Sequence, residues 1–250
     1  MDLTQQWHAP ASSAAGAARS RVEYRLAGVR LEADAVDCGD IPFEQCDPVR
    51  TFPNWRLKRH YDGYHWMGAL GTTVGFESLT ERAFLIELDR TPGVVAVASQ
   101  PMWIRWVLPT GQREHAPDYF VRLEGGQAVL IDVKPAAHID DDVREQFDTT
   151  ARFAADRGWW YVVYDAESQV RMANLRFLAP FRNWGDGDEL PSLPAGRQAL
   201  AEAAAVYGVG ADGYAHCYAR LWSGSLETDL DQPLGLSTLV WERSASCALQ

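Results

Sequence analysis

The sequence predicts an α/β fold, a mixed sheet covered by helices, with a small, mostly helical unit after it. Three observations carry this. A helix with a clear start signal near residue 78 is followed by several strand-like runs, a second helix and a last apolar strand. From about residue 178 to 193 the chain turns loop-like, with Pro180, Gly185, Gly187 and Pro191, and two further helix-like stretches follow. The composition, 47% hydrophobic and 11% aromatic over 250 residues, is ample for a packed core.

Taken in order, residues 1–50 read as a tail and an irregular segment. The first residues are rich in Ala and Ser and lack both a basic cluster and a continuous apolar core, which describes a flexible tail rather than a signal peptide. Turn formers such as Cys38-Gly39-Asp40 follow without a sustained period. Residues 51–66 then interleave Arg56, Lys58, Arg59 and His60 with Phe52, Trp55, Tyr61, Tyr64 and Trp66. Cations among aromatics suit a phosphate backbone and unstacked bases, so Arg56, Lys58 and Arg59 are candidate DNA contacts; aromatic packing on the main domain is the other reading.

Ser78-Leu79-Thr80-Glu81 fits a capping box, and Leu79, Ala83, Ile86 and Arg90 fall at roughly helical spacing, with Phe84, Leu85 and Leu88 widening the apolar face. Pro92-Gly93 ends that helix. The β-branched runs VVAVAS and MWIRWVL, separated by Gln100-Pro101, read as strands. YFVRL and AVLIDV flank Gly125-Gly126, a tight-hairpin signal. Asp140, Asp141 and Asp142 open a second helix at its positive end, Val143, Phe147, Ala151 and Ala154 mark its buried stripe, and Gly158 caps it. WWYVVY completes the sheet. This places a main domain at 51–180 and a C-terminal unit at 181–250, with helices near 195–207 and 212–222 and an extended STLVW. That order is compatible with a winged-helix-like module or a partner-docking appendage.

Bulk properties narrow the function. No stretch of about 18 apolar residues exists, which excludes a membrane-spanning helix. Cys38, Cys46, Cys217 and Cys247 form no CxxC pair, so structural zinc is disfavoured and free thiols in a reducing cytoplasm are expected. The net charge of −11 opposes unaided binding of DNA, so such binding must be local, metal-assisted or supplied by partners.

The sharpest chemical signal is Pro117-Asp118, the hairpin, then Asp132-Val133-Lys134. Alternate strand residues share a face, so Asp132 and Lys134 point together, and the hairpin folds Asp118 beside them. Two acids held together repel, and a hard divalent cation relieves that cost. Lys134 then serves an attacking water or the phosphate charge, a pattern suited to phosphodiester hydrolysis. An Asp132–Lys134 ion pair beside a Pro117-Asp118 turn is the structural alternative. Glu81 reads equally as a helix cap, with Glu77 a competitor for either role, and His115 as a structural or substrate-contacting residue.

These residues carry a resemblance. The run from Glu77 to Ala137 resembles TnsA, the endonuclease subunit of heteromeric transposases, through ESLTERAFLIELD, VVAVASQP, HAPDYFV and LIDVKPAA. More loosely it extends over roughly residues 51–180. The resemblance implies the restriction-endonuclease-like fold of PD-(D/E)xK nucleases, with Glu81, Asp118, Asp132 and Lys134 as active-site positions. It implies Mg²⁺, with Mn²⁺ as a substitute, held by Glu81, Asp118 and Asp132. It also implies cutting of double-stranded DNA at the 5′ ends of a transposon, alongside a DDE-type transposase and an ATPase regulator. Some relatives carry Gln where this chain has Asp132. A stand-alone restriction or repair nuclease shares the same chemistry. A non-catalytic DNA-binding module has no need of the acids that are intact here.

Overall fold

A computed structural model of the chain describes residues 20–50, 61–108, 111–165, 168–185, 187 and 189–243. The chain divides into two compact units, residues 1–166 and 167–250. The division falls just after the last strand of the sheet. The helix that the sequence reading left with the main domain, Gln169–Leu178, groups with the second unit.

The first unit runs β1 (Ser20–Leu26), β2 (Val29–Asp34), β3 (Cys46–Asp47), β4 (Gly63–Met67), β5 (Thr72–Phe76), α1 (Leu79–Asp89), β6 (Val94–Ser99), β7 (Met102–Leu108), β8 (Gly111–His115), β9 (Tyr119–Leu123), β10 (Ala128–Val133), α2 (Asp141–Ala155) and β11 (Trp160–Tyr164). The Gly125-Gly126 turn, with φ of +83° and +89°, closes β9 onto β10 as read from the sequence. The resulting sheet has the order β11-β10-β9-β6 and is mixed, since β10 and β11 run parallel while its other pairs are antiparallel. A second sheet, β2-β1-β7-β8 with β3 also on β1, is antiparallel throughout.

Residues 20–47 are therefore not an irregular segment. Val22, Tyr24 and Leu26 alternate with charged residues, and Ala27 and Gly28, both at positive φ (50° and 79°), make the two-residue turn that returns the chain as β2. β1 is central to its sheet, pairing Val22 with Ile104 of β7. The expected strands β6 and β7 both form, but they lie in different sheets.

Alternation along β9 and β10 distributes their side chains between two apolar clusters. Tyr119, Val121, Val129, Ile131 and Val133 join Phe84, Leu85 and Leu88 of α1 and Val74 and Phe76 of β5. Phe120, Ala128 and Leu130 join Val22, Phe43, Ile104 and Trp106, together with Phe153 and Ala154 of α2. The sheet is thus buried on both faces, as the apolar run Ala128–Ile131 of β10 requires. α1 starts as its sequence suggests, with Ser78 Oγ accepting from the Glu81 N–H. Its Leu79 is exposed, while Ala83 through Leu88 are buried. Asp140 caps α2 by accepting from the Val143 N–H.

The second unit runs α3 (Gln169–Leu178), β12 (Gln198–Ala199), α4 (Leu200–Tyr207), α5 (Ala211–Ser223), β13 (Leu226–Glu227) and β14 (Leu239–Glu242), with strand order β12-β14-β13. Helix, strand, helix, helix, strand, strand, with the first strand paired to the last, is the winged-helix order. The Asn174 side chain ties α3 to the β13–β14 connection by donating to the carbonyls of Leu230 and Gln232, each at 2.8 Å. Among the described residues, no helix is long and apolar enough to cross a membrane.

Candidate active site

The β9–β10 register sets the site. Tyr119 pairs with Ile131, so the preceding Asp118 comes opposite Asp132 at the open end of the hairpin. Asp118 Oδ2 accepts from the Val133 N–H at 2.7 Å, which ties the two strand ends together beyond their last ladder pair. The Asp118 carbonyl accepts from the N–H of Gln100, at 2.8 Å, where the chain passes from β6 to β7. Gln100 holds a positive φ of 45° there. The Gln100-Pro101 feature of the sequence thus marks a strained crossing hydrogen-bonded to the backbone of Asp118.

Asp132 is buried, and it is held by residues that the sequence reading did not assign to it. Nε2 of His115, the last residue of β8, lies 2.9 Å from both carboxylate oxygens. The Tyr161 hydroxyl of β11 donates to Oδ2 at 2.6 Å. On its other side the His115 ring meets Gln146 of α2, Nε2 to Nδ1, at 2.7 Å, and it stacks against Trp106. The alternative of an Asp132–Lys134 ion pair does not describe these contacts. The half-buried Lys134 follows β10, its N–H donating to the Tyr164 carbonyl at 2.9 Å.

Glu81 caps its helix, and its carboxylate also faces Tyr119 beside Asp118. Its Oε1 accepts from Ser78 Oγ and its Oε2 from the Glu77 N–H, each at 2.8 Å, so it secures the start of α1. Tyr119, the neighbour of Asp118, sends its hydroxyl to the Gly75 carbonyl at 3.0 Å and reaches Glu81 Oε2 at 3.4 Å. Glu77 instead pairs with Arg50 at 3.2 Å.

Electrostatics joins these acids into one group. The Asp118 carboxyl is pushed well above the usual range, by burial first, then by the charges of Asp132 and Glu81; the Val133 N–H and the nearby Arg50 oppose the shift. Burial likewise raises Glu81, against the hydrogen bonds from Glu77 and Ser78. Tyr119 and Tyr161 are raised well above the ordinary phenol value by burial and by the adjacent carboxylates, so both stay protonated donors. A cluster of three carboxylates, two of them raised, fits a hard divalent cation, because its charge relieves the repulsion between neighbouring acids. Among the described residues, no three ligating side chains already converge on one point. The hydrogen bonds from Val133, His115, Tyr161, Ser78 and Glu77 hold the acids in their place.

The family comparison matches residues 91–166 to the domain described as TnsA-like endonuclease N terminal. Over this stretch the chain is similar to a TnsA-like endonuclease domain. The matched stretch spans His115, Asp118, Asp132, Lys134 and Tyr161 and supports a nuclease of transposase type. No curated protein matches the chain significantly. The matched stretch begins after α1, so Glu81 lies outside it. Arg56, Lys58 and Arg59 lie outside the described residues. His115, which the sequence offers as a structural or substrate-contacting residue, and Tyr161, which reads only as a strand aromatic, both contact Asp132. Each is a polar residue close in sequence to, or in register with, a site acid, and that is the signal by which they could have been found.

Proposed function

We propose that this protein is a Mg²⁺-dependent DNA endonuclease subunit of a transposase, hydrolysing phosphodiester bonds at the 5′ ends of a transposon during excision. The observation that carries the proposal is the β9–β10 register, which sets Asp118 opposite Asp132 at the strand end that leads into Lys134, in a stretch that matches a TnsA-like domain.

Glu81, Asp118 and Asp132 would hold the Mg²⁺, with Mn²⁺ as a substitute. The bound ion supplies positive charge to the scissile phosphate and acidifies a bound water. The protein's own work is positioning. The Val133 N–H fixes Asp118, and the helix start fixes Glu81, so little reorganisation is left for the moment of reaction. Lys134 orients the attacking water and neutralises charge that develops on the phosphate. Arg56, Lys58 and Arg59 contact the DNA backbone.

A chain with net charge −11 is repelled from DNA at long range, which favours delivery by partners. The partners proposed are a DDE-type transposase, which processes the 3′ ends, and an ATPase regulator. Tethering raises the local concentration of the nuclease at the junction. The test is cleavage of a duplex spanning a transposon end, in Mg²⁺ at physiological salt, by the full chain alone and with the transposase. Weak cutting alone and strand-specific cutting at the 5′ end with the partner are expected. Efficient sequence-specific cutting by the lone chain would assign it as a stand-alone nuclease, and no cutting in either mixture would refute catalysis.

A further inference from the structure

The hydrogen bonds around Asp132 bear on how that carboxylate can bind a cation. A carboxylate takes a metal either through one oxygen or through both, and the second mode uses the space on the bisector between the two oxygens. His115 Nε2 occupies that space, since it lies 2.9 Å from Oδ1 and 2.9 Å from Oδ2. An ionised carboxylate only accepts, so Nε2 carries the hydrogen directed at it. Nδ1 lies 2.7 Å from the Gln146 amide nitrogen, so both ring nitrogens are engaged and the ring is held in place. Stacking on Trp106 and the place of His115 at the end of β8, paired with Ile104, keep the ring from swinging aside. Tyr161 takes a further position on Oδ2, so the oxygen with spare lone-pair capacity is Oδ1.

We propose that His115 is a positioning residue that restricts Asp132 to single-oxygen coordination and so selects Mg²⁺ over Ca²⁺. The inference rests on the reading of Asp132 as a metal ligand. Mg²⁺ demands near-octahedral geometry and takes carboxylates one oxygen at a time, whereas Ca²⁺ accepts six to eight oxygens and readily uses both oxygens of one carboxylate. With the bisector filled, the larger ion loses its preferred mode and the smaller one loses nothing. Tyr161 has a different effect. It tightens Asp132 from the side of one oxygen and leaves the bisector as it was, so it affects both ions alike.

The experiment is calorimetric titration of the full chain with MgCl₂ and with CaCl₂ at neutral pH, for the wild type, His115→Ala, His115→Gln, Tyr161→Phe and Asp132→Asn. Partners of metal ligands commonly tune affinity by about 10–100-fold, so His115→Ala should shift the Ca²⁺-to-Mg²⁺ affinity ratio toward Ca²⁺ by roughly tenfold or more. His115→Gln, which keeps an N–H donor at a similar reach, should retain the wild-type ratio and also guards against misfolding of the alanine variant. Tyr161→Phe should weaken both ions without moving the ratio. If Asp132→Asn binds both ions as the wild type does, the assignment of Asp132 as a ligand fails and the inference falls with it. If Asp132→Asn loses binding while His115→Ala keeps the wild-type ratio, the ligand assignment stands and the selectivity role of His115 is refuted.

Discussion

Replacing Glu81 by Gln separates the helix cap it forms from the metal ligand it is proposed to be. As a cap, Glu81 accepts from Ser78 Oγ and from the Glu77 N–H, both at 2.8 Å. Glutamine can keep both contacts, because its carbonyl can face the Glu77 N–H while its amide donates to the Ser78 hydroxyl, which accepts as well as donates. What is lost is the charge assistance of the two bonds, and what is gained is relief from burying a carboxylate whose pKa is already raised. The net stability change is expected within about 1 kcal/mol, or roughly 2–4 °C in Tm. Metal binding and cleavage should fall much further. Indirect partners of a metal already cost about 10–100-fold, so loss of a direct ligand should cost at least about 100-fold. Ser78→Ala provides the contrast, since it removes the cap oxygen at about 1 kcal/mol while leaving the acid in place. The readouts are a thermal melt, a Mg²⁺ titration of the isolated chain, and cleavage in the presence of the transposase. A Glu81→Gln variant that binds metal and cleaves like the wild type would show that Glu81 is a cap and nothing more.

The raised Asp118 predicts an inverse effect of pH on the metal-free protein. A carboxyl whose folded pKa exceeds its unfolded value favours folding most below the ordinary value of 3.8 and loses that contribution as pH rises through the folded pKa. Asp118→Asn, which keeps an acceptor for the Val133 N–H, should therefore melt higher than the metal-free wild type at neutral pH. The gap should close below the ordinary carboxylate range, and a gap independent of pH would contradict this origin. Adding Mg²⁺ at a hundredfold excess over its Kd should stabilise the wild type by about 2.7 kcal/mol, an increment that a chelator removes and that Asp118→Asn lacks. In the second unit, a Cβ added at Gly213 would stand 2.1 Å from the Ala204 carbonyl oxygen and 2.8 Å from that of Gly208. Gly213→Ala should force α4 and α5 apart at a cost of about 3 kcal/mol or more, seen as early melting of that unit with Mg²⁺ affinity unchanged.

The parts of the fold legible in the sequence were those whose signal is local. The Gly125-Gly126 hairpin, the capped starts of both long helices and the apolar runs of β6, β10 and β11 each follow from a few adjacent residues. The N-terminal strands were less legible because their sequence, SRVEYRL, is half charged. Glu23 is buried in ion pairs with Arg30 and Arg105, at 2.5 and 2.6 Å, and so it interrupts the apolar pattern that a strand reader seeks. Val22, Tyr24 and Leu26 and the Ala27-Gly28 turn nonetheless carried the signal. At the site, the acids stood out by spacing, whereas their hydrogen-bond donors did not. Tyr161 looked like one more aromatic in a buried strand, and only the parallel register of β10 with β11, Leu130 to Tyr161, brings its hydroxyl to Asp132.

The pairing of β1 with β7 governs when this site can come into being. His115 stands on β8, β8 pairs among the described residues only with β7, and the other edge of β7 is filled by the strand Ser20–Leu26. The acids on the β9–β10 hairpin come together by a short loop closure, which is fast. The wall that holds Asp132 waits on contacts between the start of the chain and residues beyond position 100, the kind of distant pairing that slows folding. A nuclease assembled in this order would have its carboxylates in place before it has their support. A fragment trimmed to residues 91–166 would omit β1 and the helix bearing Glu81 altogether. Dissection of this protein therefore has to start from a fragment that keeps Ser20, even though the matched stretch begins only at residue 91.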